Sequence, residues 1–226
     1  MATVTIIGGH GKVALRAAPL LNEAGHTVLS VIRKEAQAPD IEAAGATPVV
    51  ADVEHLAVAA ITELLAGSDA VVWSAGAGGD GADRTWAMDH DAAIRTMSAA
   101  RQAGIRRFVM VSYFNSHLVD GAVPGISEDD GMYAYYNAKS RADEHLRTDT
   151  DLEWTVLGPS ALTLEEPSGK ITVDNSGEHR DLDVPATSRG NVAAVIAAVL
   201  DEPATIRRTL SFHDGGTPIV EAVAQP

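Results

Sequence analysis

A doubly wound parallel α/β sheet with a small irregular C-terminal cap is predicted for this chain of 226 residues. Three features support it. Short β-branched runs alternate with helical patterns along most of the length. Glycines stand where a helix has to hand over to the next strand. The first strand runs into a three-glycine turn that opens a helix, which is the layout of a βαβ unit.

In chain order, strands are expected at residues 3 to 7 (TVTII), 27 to 32 (TVLSVI), 47 to 51 (TPVVA), 70 to 74 (AVVWS), 107 to 112 (RFVMVS) and 153 to 157 (EWTVL). Each reads as a buried strand covered on both faces. Helices are expected near 12 to 24, 55 to 66, 86 to 103 and 132 to 147, with Gly25 and Gly104 as helix stops. Beyond residue 158 the regularity fades among Pro159, Pro167, Gly169, Gly177 and Pro185. One further helix, about 188 to 201, places Val192, Val195, Ile196, Val199 and Leu200 at helical spacing, and a strand near 207 to 213 follows. No repeat, low-complexity tract or linker divides the sequence. Residues 1–226 therefore read as a single domain, with about 159–187 and 207–226 forming a substrate-side cap at the sheet edge where open α/β sheets bind ligands.

Seventeen Lys plus Arg against thirty-one Asp plus Glu give a net charge of −14. That field opposes nucleic acid and anionic membranes, and any polyphosphate cofactor must find its own local donors and cations. The absence of cysteine excludes disulfides, thiolate zinc sites and a cysteine nucleophile. No apolar run reaches membrane-spanning length, and the one at the start breaks at Gly8 with no basic region before it. The expectation is a cytoplasmic monomer or homodimer acting on a small-molecule substrate. His55, His90, His117, His145, His179 and His213 form no H-x-x-x-H or HExxH pattern, so no metal is expected.

Gly8, Gly11 and Ala14 fit G-x-x-G-x-x-A between a strand and a helix. Glycines there permit a tight turn and let backbone amides approach a pyrophosphate, although a strand–helix turn that binds nothing can look the same. The loop candidates are Gly8, Gly9, His10, Gly11, Lys12 and Val13; His10 reads equally as a pyrophosphate contact or a solvent-facing loop residue. Where a free ribose hydroxyl would meet an acidic residue, the second strand ends in Arg33 and Lys34. Two cations there suit a 2′-phosphate and favour NADP(H) over NAD(H), unless they merely occupy a solvated turn. Asp52, with Val53, follows the third strand in place to bond an adenine amino group. Ser74, Ala75 and Gly76 open a small-residue segment that a dinucleotide can cross.

Ser112 ends the fifth strand, and about twenty residues later Tyr135 and Lys139 share one helical face, continued by Ala142 and Leu146. An ammonium beside a tyrosine and a cofactor ribose favours the phenolate and suits the phenol to proton transfer, while Ser112 is placed to hold a substrate carbonyl. Tyrosines at 133, 135 and 136 also suit simple core packing. Trp73 reads as sheet core, and Trp86 and His117 as residues near the site or on its surface loops.

Together the Gly8-Gly9-His10-Gly11 loop, Asp52, WSAGAG, MDHDAAIRTMSAARQAGIRRFVMVS, Tyr135-x-x-x-Lys139 and WTVLGPSALT resemble an atypical short-chain dehydrogenase/reductase of the NAD(P)H-binding, NmrA-like and epimerase-like group, over almost the whole chain. The resemblance implies a Rossmann-type fold with NADP(H) across the strand ends. It places Ser112, Tyr135 and Lys139 in the catalytic positions, Lys139 also on the ribose, Gly158 and Pro159 beside the nicotinamide, and Asp89 in the helix next to the site. Ala14 replaces the last glycine of the loop, and Gly158 stands where many relatives carry arginine. The function expected is an NADPH-dependent oxidoreductase passing hydride to a small carbonyl or quinone-like acceptor. The alternatives are an NADP(H)-sensing binding protein, or an epimerase or dehydratase that retains its nicotinamide.

Overall fold

The computed structural model describes residues 1–177 and 183–225. Six strands, β1 (Thr3–Ile7), β2 (Thr27–Ile32), β3 (Thr47–Val50), β4 (Ala70–Trp73), β5 (Arg107–Val111) and β6 (Glu153–Pro159), occupy the apolar runs that predict them. The intervening helices are α1 (Ala14–Glu23), α2 (Ala38–Ala43), α3 (Val58–Leu64), α4 (Ala82–Thr85), α5 (Ala93–Gln102) and α6 (Tyr133–Thr148). Between α4 and α5 the helix widens into a π-helical segment, Trp86–Ala92, so the one helix expected near 86 to 103 has two textures. Helix α2, with Pro39 in its first turn, was not expected.

After β6 come β7 (Leu162–Thr163), β8 (Lys170–Val173), β9 (Thr187–Ser188), α7 (Arg189–Asp201), β10 (Arg208–Asp214), β11 (Thr217–Pro218) and α8 (Ile219–Ala224). The main sheet has the order β11-β8-β10-β6-β5-β4-β1-β2-β3. From β10 to β3 every pairing is parallel, while β8 and β11 add an antiparallel edge. Residues 208–214, grouped in the sequence with the cap, thus extend the main sheet as β10, alongside β6 with Ser211 opposite Gly158. The β7–β9 pair lies in the expected cap; His179 falls outside the described residues.

Strand alternation sends neighbouring residues to opposite faces and builds two apolar layers. Ile6, Val28, Val72, Val109, Leu157 and Leu210 face α1 and α7. Ile7, Val31, Val71, Trp73, Phe108 and Val156 face the layer that holds Ile61 of α3, Met97 of α5 and Leu146 of α6. Burying each such side chain contributes about 1.5–3 kcal/mol. Helix α1 stops at Gly25 (φ +87°), where His26 N–H bonds Leu21 O and Gly25 N–H bonds Asn22 O, so the orphan carbonyls of its last turn are satisfied.

Strand order reverses between β1 and β4: β2 and β3 continue to one side, β4, β5 and β6 to the other. Connections leave the sheet in opposite directions there and open a crevice at the strand ends. The glycine turn that follows β1 lies at that point.

Candidate cofactor crevice and active site

The glycine turn is wedged between the ends of β2 and β4. Gly8 has φ +84°, and a Cβ there would stand 2.7 Å from Ala75 Cα. A Cβ on Gly9 would come within 2.5 Å of Ser30 Cβ, while Gly9 N–H bonds Val31 O at 2.9 Å. Glycine is required at both positions by backbone approach. Gly11 N–H returns to Gly8 O, and α1 starts three residues on with no side-chain cap. Within the first turn Leu15 N–H bonds Gly11 O and Arg16 N–H bonds Val13 O, so the positive end of the helix rather than those two amides is what favours an anion.

A cavity of about 270 Å³ opens at this turn. Gly8, His10 and Gly11 form one wall, Arg33 the end of β2, Asp52 and Val53 the end of β3, and Ser74, Ala75 and Gly76 the end of β4. The structure therefore brings nine of the expected residues to one hollow. It contains amide donors, a guanidinium and a carboxylate acceptor, a set that fits a dinucleotide. Lys34 and Lys12 are exposed and lie outside the cavity lining, Gly9 is buried under the turn, and the Val13 side chain packs into the core. His10 Nε2 pairs with Asp40 at 2.7 Å, and Asp52 with His55 at 3.1 Å.

Arg84 was not anticipated. Its guanidinium donates to Ala77 O and Asp80, and to Glu54 Oε2 at 3.0 Å, joining the segment beyond β4 to the loop beyond β3 in the cavity wall. No motif in the sequence marks it.

At the end of β5, Lys139 Nζ donates to Val111 O at 3.3 Å, lies 3.3 Å from Asp89 Oδ1 and stands 5.7 Å from the Tyr135 ring centre. Burial pulls the ammonium down, but the facing Asp89, Tyr135 and Asp143 outweigh it and hold Lys139 above its ordinary value. The lysine is a buried, charged group under the tyrosine.

Ser112 Oγ donates to Asp143 Oδ2 at 2.5 Å, and Ser116 Oγ donates to the same oxygen at 2.6 Å. Ser140 links Ser116 to the Tyr113 hydroxyl at 3.0 and 2.6 Å. Asp143 is fully buried; burial pushes its carboxyl up, and Arg147, the two serines and Lys139 offset this only partly. Burial likewise pushes Tyr113 up to about 12. The spacing of Tyr135, Lys139 and Asp143 on one helical face was the available signal for this cluster. Pro159 ends β6 beside Gly158, where a Cβ would stand 2.7 Å from Tyr113 O, so no arginine fits at 158. Trp73 is core, and Trp86 stacks under the Arg141 guanidinium at 5.6 Å. His117 bonds Asn115 O and lines a separate cavity of about 360 Å³ with Arg147 and Ser211.

A family model described as NAD(P)H-binding matches residues 8–203. The chain belongs to the NAD(P)H-binding family. YhfK of Bacillus subtilis, named an uncharacterized sugar epimerase, is 34% identical over 222 residues, covering 97% of this chain and 98% of its own. Among solved structures, a candidate NAD-dependent epimerase/dehydratase from Bacillus halodurans superposes with a TM-score of 0.89 at 34% identity over the whole of both chains. The oxidoreductase ylbE from Lactococcus lactis gives 0.83 at 27% identity, covering 98% of this chain and 94% of its own. This NAD(P)H-binding protein thus has relatives named for both redox and epimerase chemistry, and the two solved structures share its Rossmann-like fold.

Proposed function

We propose that this NAD(P)H-binding protein is an NADP(H)-dependent oxidoreductase acting on a small carbonyl or quinone-like acceptor. The observation that carries the reading is the buried Lys139 ammonium beneath the Tyr135 ring, beside Asp89 at the end of β5. A cation there favours the phenolate over the phenol, which suits Tyr135 to give a proton near neutral pH.

In this reading the turn formed by Gly8, Gly9, His10, Gly11, Lys12 and Val13 holds the pyrophosphate, with the Gly9 and Gly11 amides shaping the turn through Val31 O and Gly8 O, and Arg33 with Lys34 holds the 2′-phosphate. Asp52 and Val53 meet the adenine, Ser74, Ala75 and Gly76 let the dinucleotide pass, Lys139 anchors the ribose, and Gly158 with Pro159 flanks the nicotinamide. The bound cofactor would supply the hydride. Tyr135 would protonate the acceptor oxygen. Ser112 orients that oxygen by turning its O–H from Asp143, which keeps the Ser116 hydrogen bond meanwhile. The same reading has it work in the cytoplasm as a monomer or homodimer.

Fluorescence titration with NADPH and NADH tests the cofactor. NADPH is expected to bind more tightly, and Arg33→Ala to lose most of that preference, by about tenfold for one charge-assisted contact. Equal affinities in the parent, or an unchanged preference in the variant, would refute the NADP(H) assignment. Because YhfK is named a sugar epimerase, a second reading is epimerisation with retained cofactor; it predicts product without net consumption of NADPH.

A further inference from the structure

Asp89 has no part in the roles above beyond its place near the lysine, yet its two oxygens reach two different parts of the site. Oδ2 accepts the Ala77 N–H at 3.0 Å, in the segment beyond β4. Oδ1 lies 3.3 Å from Lys139 Nζ, with side-chain exposures of 1% for the aspartate and 10% for the lysine. A Cβ on Gly76 would stand 3.1 Å from the same Oδ1, so bare backbone at 76 is what lets the carboxylate come up under the segment. Oδ1 has no hydrogen-bonding partner, and the nearby ammonium is what offsets its burial. The residue sits inside the π-helical segment, a local widening that often marks functional positions.

We infer that Asp89 is a positioning residue that keeps the Lys139 ammonium charged and in place, and ties it to the segment the dinucleotide would cross. If Asp89 only capped Ala77 N–H, a neutral amide would serve equally well. A buried ammonium needs the charge, because desolvation drives a lysine towards its neutral form. The titratable groups facing Lys139 are Asp89 from the π-helical segment and Tyr135 and Asp143 from its own helix, and Asp89 is the largest single opposition to burial. With the pair intact, the lysine is set before any cofactor arrives.

The lysine arm of the inference needs no cofactor, whereas its coupling to the crossing segment rests on the crevice reading. The chain has only four lysines, at 12, 34, 139 and 170, so protein grown on lysine labelled with carbon-13 at Cε gives few enough signals to follow each by NMR. Lys139→Arg assigns the signal. In Asp89→Asn, the Lys139 midpoint should move to lower pH than in the parent, and Asp89→Glu should bring it back towards the parent value. Gly76→Ala, which crowds Oδ1 without changing any charge, should lower the midpoint as well, and it serves if Asp89→Asn does not fold.

NADPH affinity should fall about tenfold in Asp89→Asn, as for loss of the one hydrogen bond that a charged Lys139 would give the ribose. An unshifted Lys139 midpoint in the folded variants overturns the inference, as does a midpoint that falls equally in Asp89→Glu. Should the parent bind neither NADPH nor NADH, the crevice reading fails while the lysine titration still decides the ion pair.

Discussion

The burial of Asp143 ties its protonation to folding. Its carboxyl sits above the ordinary carboxylate value because burial outweighs two hydroxyl donors and the neighbouring cations. In the pH interval between the unfolded and the raised folded value, the folded chain binds more protons than the unfolded one. Its contribution therefore favours folding at the acidic end and is lost as pH rises through that interval. Asp143→Asn removes the dependence while its amide oxygen still accepts from Ser112 and Ser116. Urea unfolding at several pH values from acidic to neutral should show the variant gaining on the parent as pH increases; a constant difference would contradict the assignment. Lys139 carries the same sign in a different window: its raised value contributes stability that is fully present below the ordinary lysine value and is lost only in strong alkali.

At the level of elements, the glycine turn works as a wedge. Gly9→Ala would drive a Cβ to 2.5 Å from Ser30 Cβ, so β2 or the turn must shift. Overpacking of this kind costs about 1–3 kcal/mol. Chemical denaturation should register that loss, with weaker NADPH binding if the turn is the part that yields. The wedge was legible in the sequence because Gly8 and Gly11 follow a β-branched run. The six main strands were legible for the same reason: a strand covered on both faces is apolar throughout. Helices α2 and α8 were not, since six-residue helices carry too little periodicity to separate from loop. The two-residue strands β7, β9 and β11 owe their state to pairing with distant partners, which no local pattern records. Tyr135 and Lys139 could be found from their spacing. Arg84 and Ser116 could not, because their carboxylate partners, Glu54 and the buried Asp143, lie about thirty residues away along the chain.

Across the whole molecule, the net charge of −14 sets Arg33 against a repulsive background, so binding of an anionic cofactor depends on short-range contacts inside the crevice. The two sides of that crevice belong to different halves of the sheet. Arg33 and Asp52 follow β2 and β3, Ser74 and Ser112 follow β4 and β5, and β1 alone is hydrogen-bonded to both halves. A central strand with two parallel neighbours and both faces covered exchanges its amide hydrogens only when the molecule opens globally. In deuterated water, Val4, Ile6 and Ile7 should exchange among the slowest amides, at rates set by overall stability, and faster exchange there than in α3 would contradict this. The floor of the crevice therefore cannot breathe on its own. Under the proposed cofactor reading, entry and exit would fall to the side where Arg84 spans from one half to the other, and residence time would then be a property of that strap.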